Sequence, residues 1–308
     1  MHRAPRLLFA FLLSTGVATV EPATRLMASP AEGTGTAVQS AQQATLKAAA
    51  ANAPDVPLSD YDSQTEQQLL ALANQSRQQA GAPPLTIDAG LSRAARAHAR
   101  AMLAAQQLSH QFDGEPSLPQ RLAATTHLHL DQEGENVALD YDAEHGHQHL
   151  MLSPPHRANL LNPAYNVVGL GVVRSQEARG EDRLYIVQDF GHALPNYSVA
   201  EVKTRIAAAT NQRRQQASQP ALQRRDLFDA DDAACSMAQA DKLGTSPIHK
   251  LAERFTVLSY TSLHPETLPN GAVHAIANRN LHSFSVGACY GRTETDPTGA
   301  YWVVISLE

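Results

Sequence analysis

The chain repeats itself, and that constrains its fold more than any single motif. "NQSRQQAGAPPL" (74–85) and "NQRRQQASQPAL" (211–222) agree at 8 of 12 positions with a displacement of 137 residues. Further on, "NVVGLGVV" followed by "LYIVQDF" resembles "FSVGACYG" followed by "YWVVISL", and here Gly169 and Gly287 stand 118 residues apart. The two matches occur in the same order at both ends, and the drop from 137 to 118 means that the second copy lacks 19 residues in its middle. A chain that writes one supersecondary pattern twice is expected to fold as two similar units packed together. Residues 200–308 therefore read as a shortened copy of the segment before them. At 308 residues and 43% hydrophobic side chains, the chain can build two cores.

The N-terminal segment reads differently from the rest. Arg3 and Arg6 precede an apolar run from Leu7 to about Val20, with small residues such as Ala18 near its end. This is the pattern of a secretory signal over residues 1–27, too short for a comfortable membrane span. Residues 28–58 are Ala, Gly, Ser, Gln and Pro with almost no large apolar side chain, so they are expected to be a disordered tether. No later run approaches membrane length. The mature protein is thus expected to lack an integral membrane segment and to be secreted or periplasmic. The formal net charge is −6, and the 24 Lys and Arg residues are scattered or stand beside acids, which argues against nucleic acid as a partner.

Order is expected to begin near Asp60. "SDYDSQTEQQLLALANQSRQQAG" offers capping Ser and Asp residues, Leu69, Leu70 and Ala73 at helical spacing, and Gly81 as a stop. A second helix follows, with Leu91, Ala95, His98, Met102 and Ala105 on one face. His98 on that face reads as a hydrogen-bonded core residue and is left out of the site. Between Val167 and Phe190, two β-branched runs joined by a polar, Gly-containing turn read as a hairpin. Helices, a middle strand, another helix and then a hairpin give a mixed α/β layer arrangement, with the first domain spanning 59–196.

Three segments carry chemistry: "QLSHQF" with His110, "EGENVAL" with Glu135 and "SPPHRANLLNP" with His156. All three read as loops or element ends, where functional side chains converge. Two imidazoles and a carboxylate suit a divalent metal such as Zn²⁺ with an open position for water, and without metal the same trio could be an acid–base cluster. Asn136 is expected to tie down the turn beside Glu135, and Asn159 shares the His156 face of a short helix; both are candidate ligand-binding residues. Pro155 suits the first turn of that helix and would present His156 rigidly. "EHGHQHLM" is a rival metal motif, with His145 and His149 at i and i+4, but without a third ligand in register it reads as a solvated or partly buried face.

"GEN", then "SPPHRANLLNP", "VGLGVV" and "VQDFG", together with "LLALANQSRQQAGAPPLTIDAGLSRAARAHARAM" and "LSH", resemble the bacterial branch of the CAP superfamily in order over roughly residues 65–192. The superfamily includes cysteine-rich secretory proteins, antigen 5 and plant pathogenesis-related 1 proteins. The resemblance implies a three-layer α-β-α sandwich whose cleft holds a His, Glu, Glu, His cluster. Carried over, these are His110, Glu135 and His156; the second Glu is missing, since Met151, Leu152 and Ser153 stand near its place and Glu144 lies about three turns away.

In the second copy, His249, Glu253 and His274 stand 139, 118 and 118 residues after His110, Glu135 and His156, yet "HRAN" has become "HAIA". A degenerate copy that packs against the first is expected. Cys235 and Cys289, the only cysteines, can form a disulfide in an oxidising compartment or be two separately buried thiols. Under the repeat alignment they fall on the second helix and first hairpin strand, elements that pack together in the fold the resemblance implies. The functional expectations are an exported module binding a metal ion, lipid or small ligand, a zinc hydrolase with Glu135 as base, or a surface protein with an envelope or host partner.

Overall fold

The computed structural model describes residues 61–175 and 182–308, all within one compact unit. The expected signal segment, tether and polar hairpin turn lie wholly or largely outside the described residues. Two four-stranded sheets share one topology. The first, in the order β1-β3-β4-β2, comprises β1 (Thr86–Ile87), β2 (His129–Asp140), β3 (Val167–Arg174) and β4 (Leu184–Leu194); the second, β5-β7-β8-β6, comprises β5 (Gln223–Arg224), β6 (Thr256–Ser262), β7 (Ser283–Gly291) and β8 (Ala300–Leu307). Each opens with a short parallel pair and continues antiparallel.

Helices cover both faces of the first sheet, because its strands bury both sets of alternating side chains. Leu170, Val172 and Ile186 pack with Leu69 and Ala73 of α1 (Ser63–Gln79), Leu150 of α4 (Ala143–Leu152) and Leu160 of α5 (Pro154–Leu161). The intervening Val173, Tyr185 and Val187 pack with Ala95, Ala99 and Met102 of α2 (Ala89–Ala105), while α3 (Leu118–Thr125) adds Leu122 on the same side. This is the expected three-layer sandwich. α1 is capped by Asp62 and ends just before Gly81 at φ 74°, as its sequence signals. The expected face of α2 is buried from Leu91 through His98 to Met102, whereas its last member, Ala105, is exposed at the helix end.

The second copy keeps that plan in fewer residues. α6 (Val199–Gln216) and α9 (Asn270–Ile276) cover one face of its sheet; α7 (Phe228–Ala240) and α8 (Ser246–Ala252) cover the other. One helix, α9, stands where α4 and α5 stand in the first copy. Gly169 and Gly287 are equivalent: a Cβ on either would strike the helix backbone, at Leu91 of α2 and Ala230 of α7 respectively. Cys235 of α7 and Cys289 of β7 form a disulfide with Cα atoms 5.0 Å apart, closing a separation of 54 residues. Chain-entropy reasoning gives such a loop about 4 kcal/mol of stabilisation.

One buried arginine recurs in each copy. Arg77 donates to the carbonyls of Pro83 (2.6 Å), Leu160 (2.8 Å), Asn162 (3.0 Å) and Tyr165 (2.8 Å). Its counterpart Arg214 donates to Pro220 (2.9 Å), Ile276 (2.9 Å) and Asn278 (2.6 Å), leaving Nη2 without a partner. Asn74 and Asn211 likewise each exchange two hydrogen bonds with the backbone of Leu85 and Leu222. The repeated "NQ-RQQA" string is therefore the clamp that pins the first helix of each copy to its loops.

The copies meet at the N-terminal end of β2. Arg292 donates to the carbonyls of Ala123 (2.7 Å) and Leu128 (3.4 Å), and Thr298 to that of Leu130 (3.2 Å). Asp131 accepts from both His192 (2.6 Å) and His264 (3.1 Å). His129 lies flat on Tyr290 with ring centroids 4.1 Å apart, and its pKa is lowered by burial and then by the Arg292 charge.

Replacing Arg77 by Met strands four carbonyls and is expected to destabilise the chain by roughly 3 kcal/mol or more, read by urea denaturation, with a smaller loss for Arg214→Met. Because His129 is depressed in the folded state, its stabilisation is complete above about pH 6.5 and is lost as the pH falls through the folded value. Melting temperature should thus fall between pH 7 and pH 5, and His129→Phe should flatten that slope.

Candidate functional site

The site forms where helices from both outer layers reach around an edge strand. β2 is the outer strand of its sheet, and successive residues on it point to opposite faces. Glu135 faces the α2 side and Asn136 the α5 side. Sequence reading places "EGENVAL" in a loop or at an element end, with Asn136 holding a turn; it lies instead within β2, paired through Glu135↔Asp189 and Asn136↔Gln188. Gly and Asn favour turns and Glu is disfavoured in strands, but a continuous ladder to β4 overrides those preferences. Gly134 admits Tyr165 and Asn159 against the strand, since a Cβ there would strike the Tyr165 hydroxyl.

His110 arrives from the α2 side, after Gln106 ends the helix in a left-handed cap. Its ring is half exposed, and Nδ1 lies 2.9 Å from Glu135 Oε1. His156 arrives from the α5 side as the third residue of a helix that begins Pro154-Pro155, so Pro155 stands in the first turn as expected. The two imidazole centroids are 6.4 Å apart. The His156 pKa is lowered by burial and by the neighbouring His110.

Asn136 and Asn159 stitch α5 to the strand. Asn136 is buried and donates to the His156 carbonyl (3.1 Å) and to Gln188 (3.2 Å); Asn159 donates to the Glu135 carbonyl (3.1 Å) and to Asn136 Oδ1 (3.0 Å). Their amide nitrogens are engaged within the protein and tie α5 to β2.

Beneath the cleft lies a charged network that sequence reasoning largely missed. Glu135 Oε2 is 2.5 Å from Arg121 of α3, and Arg121 also pairs with Glu115 at 2.9 Å. His98 donates through Nε2 to the Ser109 carbonyl (2.8 Å), while Nδ1 stands 2.7 Å from Glu115. His98 is thus the hydrogen-bonded core residue expected, and it also props the loop carrying His110. Burial raises the Glu115 pKa, but hydrogen bonds from Arg121 and His98 outweigh it and hold the carboxyl below its usual range. Asp189 is fully buried opposite Glu135, and among the described residues no donor reaches either of its oxygens. Burial first and the Glu135 charge second hold its carboxyl well above the usual range, which favours the protonated form, able to donate to Glu135.

The further carboxyl groups beside Glu135 are therefore Glu115, paired with Arg121, and the buried Asp189, and not Glu144, which is exposed on α4. "VQDFG" held the clue: an Asp in a strand buried on both faces has nowhere to go but a polar cluster. His145 and His149 are exposed and pair with Asp142 (2.8 Å) and Asp140 (2.6 Å), in keeping with a solvated face.

His110, Glu135 and His156 come together, yet among the described residues no group of three or more His, Cys, Asp or Glu has metal-holding geometry. Glu135 already has one oxygen on His110 and the other on Arg121. What remains available is one nitrogen on each imidazole, with Glu135 behind His110 as an orienting carboxylate. This donor set fits a two-imidazole site and does not fit a three-ligand catalytic zinc centre.

In the second copy the site is erased. Gly169 and Gly287 pair with Asp189 and Val304, which in turn pair with Glu135 and Ser259. Ser259 therefore holds the place of Glu135 and Val304 that of Asp189, while Met237 packs with Val304 on the α7 face. His249, Glu253 and His274, aligned by sequence with the first site, are all exposed on helices or helix ends. The sequence alignment failed because the shortened copy changes its displacement from one element to the next.

Residues 70–190 match the CAP, cysteine-rich secretory protein family. The uncharacterized protein YkwD of Bacillus subtilis (strain 168) is 33% identical over 111 residues, 36% of this chain and 43% of that protein, so the chain spans less than half the length of this curated relative. Among solved structures, an outer surface protein from Borrelia burgdorferi is 18% identical with a TM-score of 0.38, covering 42% of this chain and 94% of that one. An extracellular protein containing a SCP domain from Bacillus anthracis str. Ames is 27% identical with a TM-score of 0.36, covering 42% and 41% of the two chains. A cysteine-rich secretory protein from Staphylococcus aureus subsp. aureus Mu50 is 22% identical with a TM-score of 0.35, covering 44% and 40%.

An Asp whose folded pKa is raised contributes stability below its unfolded value, near 4, and loses it as the pH climbs through the folded value. Asp189→Asn keeps a neutral donor facing Glu135 at every pH. Its melting temperature should exceed that of the parent by a margin that widens from pH 4 to pH 7.

Proposed function

We propose, for a chain that belongs to the CAP superfamily through residues 70–190, that it is an exported binding protein whose first sandwich takes a metal ion in the cleft before His110 and His156. One observation carries the reading: a buried carboxylate, Glu135, holds His110 Nδ1 at 2.9 Å, so the ring is fixed with Nε2 available beside a second imidazole. A carboxylate behind a histidine fixes its tautomer and raises its basicity, as behind metal-binding imidazoles generally. Zn²⁺ suits two such nitrogens, with water or part of a second, small ligand completing the coordination.

Binding is favoured over zinc hydrolysis by the neighbourhood of Glu135. A general base must be free to take a proton from water, whereas this carboxylate is engaged by His110 and by Arg121 at 2.5 Å. Export is supported by Arg3, Arg6 and the apolar run from Leu7, the pattern of a secretory signal. Among the described residues no helix is long and apolar enough to cross a membrane. A lipid or envelope component is the alternative occupant of the same cleft.

Calorimetric zinc titration of the full chain tests the metal reading. The parent should bind, either single variant, His110→Ala or His156→Ala, should bind more weakly, and the double variant should not bind. Equal affinity in the parent and the double variant would reject the cleft as the metal site.

A further inference from the structure

We infer that the second copy, having lost the first copy's site, carries a different one: a pocket for a phosphate monoester at the end of its sheet. In the first copy this corner is solid, since Val167 of β3 packs with Leu91, Leu122 and Leu130 in one apolar cluster. The register from Gly169 and Gly287 places Ser285 where Val167 stands and Ser306 where Gly191 stands, and Ala230 replaces Leu91 against the glycine. Two small polar side chains and an alanine thus occupy the corner, and a cavity of about 220 Å³ opens, lined by Arg225, Arg254, Leu227, Phe255, Ser285 and Ser306 among others.

Its polar groups are those of an oxyanion site. Ser285 and Ser306 are each 1% exposed, and neither hydroxyl has a hydrogen-bond partner among the described residues. Burying a hydroxyl without a partner is costly, so a facing pair in one cavity points to an acceptor that both can reach. Arg254 supplies the charge: it lies over the Phe255 ring at 5.0 Å and makes no ion pair among the described residues. Arg225 stands 3.3 Å from Glu308, whose carboxylate also accepts from Ser283 at 2.9 Å and closes one edge. Arg225 and Arg254 thus bring two guanidiniums to the mouth, with the Glu308 side chain beside the first. Four donor groups suit a tetrahedral oxyanion, and Leu227 and Phe255 offer an apolar wall to the group it esterifies.

Full-length protein melted in inorganic phosphate and in phenyl phosphate, against chloride at equal ionic strength, decides the matter. Both probes should raise the melting temperature saturably, phenyl phosphate at the lower concentration. Arg254→Ala, an exposed position, should lose the response. Ser285→Ala/Ser306→Ala should lose it too, while melting in chloride no lower than the parent because unpartnered hydroxyls have been removed. His110→Ala/His156→Ala should keep the response, which separates this pocket from the first cleft. The inference is overturned if the parent shows no saturable shift, if Arg254→Ala retains it, or if the histidine variant loses it; phenyl phosphate acting no better than phosphate would overturn the monoester assignment.

Discussion

The arginine clamp holds the architecture together and reaches into the site. Arg77 takes carbonyls at the end of α5 and in the loop after it, at Leu160, Asn162 and Tyr165, and so ties the helix that presents His156 to α1. A guanidinium suits the task because its donors diverge in one plane and cannot be lost by titration. Carbonyls in a buried loop have no strand to pair with, and the clamp satisfies them without one. The same solution, with one donor fewer in use, recurs at Arg214, which is why the string around it stayed legible in both copies when most of the sequence between them diverged.

Divergence between the copies follows the chemistry each retains. The first keeps its edge strand polar, with Glu135 and Asp189 side by side and Arg121 set against them. Such a pair can be buried only because one carboxyl stays neutral and the other is matched by a guanidinium. The second replaces the pair with Ser259 and Val304 and becomes an ordinary core beneath α7, braced by the Cys235–Cys289 bond. Its polar residues reappear at the end of the sheet, at Ser285 and Ser306. The seam between copies rests on the end of β2 and on the α3–β2 connection, close to Arg121, so the second copy buttresses the element that neutralises Glu135.

Much of the fold could be read directly. The face of α2, the caps of α1 and the β3–β4 hairpin each follow from a local rule that the tertiary structure did not overturn. The site was legible only in outline. His110, Glu135 and His156 could be picked out by motif, but not that Glu135 sits mid-strand, that Asn136 and Asn159 turn inward, or that Glu115, Arg121 and Asp189 complete the cluster. Glu115 and Asp189 stand 74 residues apart along the chain, and no repeated spacing links either to Arg121. Strand pairing and loop closure bring the three together, and neither process leaves a local trace.

The sequence by itself determined the periodic elements, the duplication and the family resemblance, because spacing along a helix or strand is a property of consecutive residues. Tertiary structure alone decided which charges meet: the neutrality of Asp189, the pairing of Glu135 with Arg121 and the open corner beside Ser285 and Ser306 depend on what stands across a sheet or under a helix. Burial and proximity are relations between distant segments, and they acquire energetic consequences only once the chain has closed on itself.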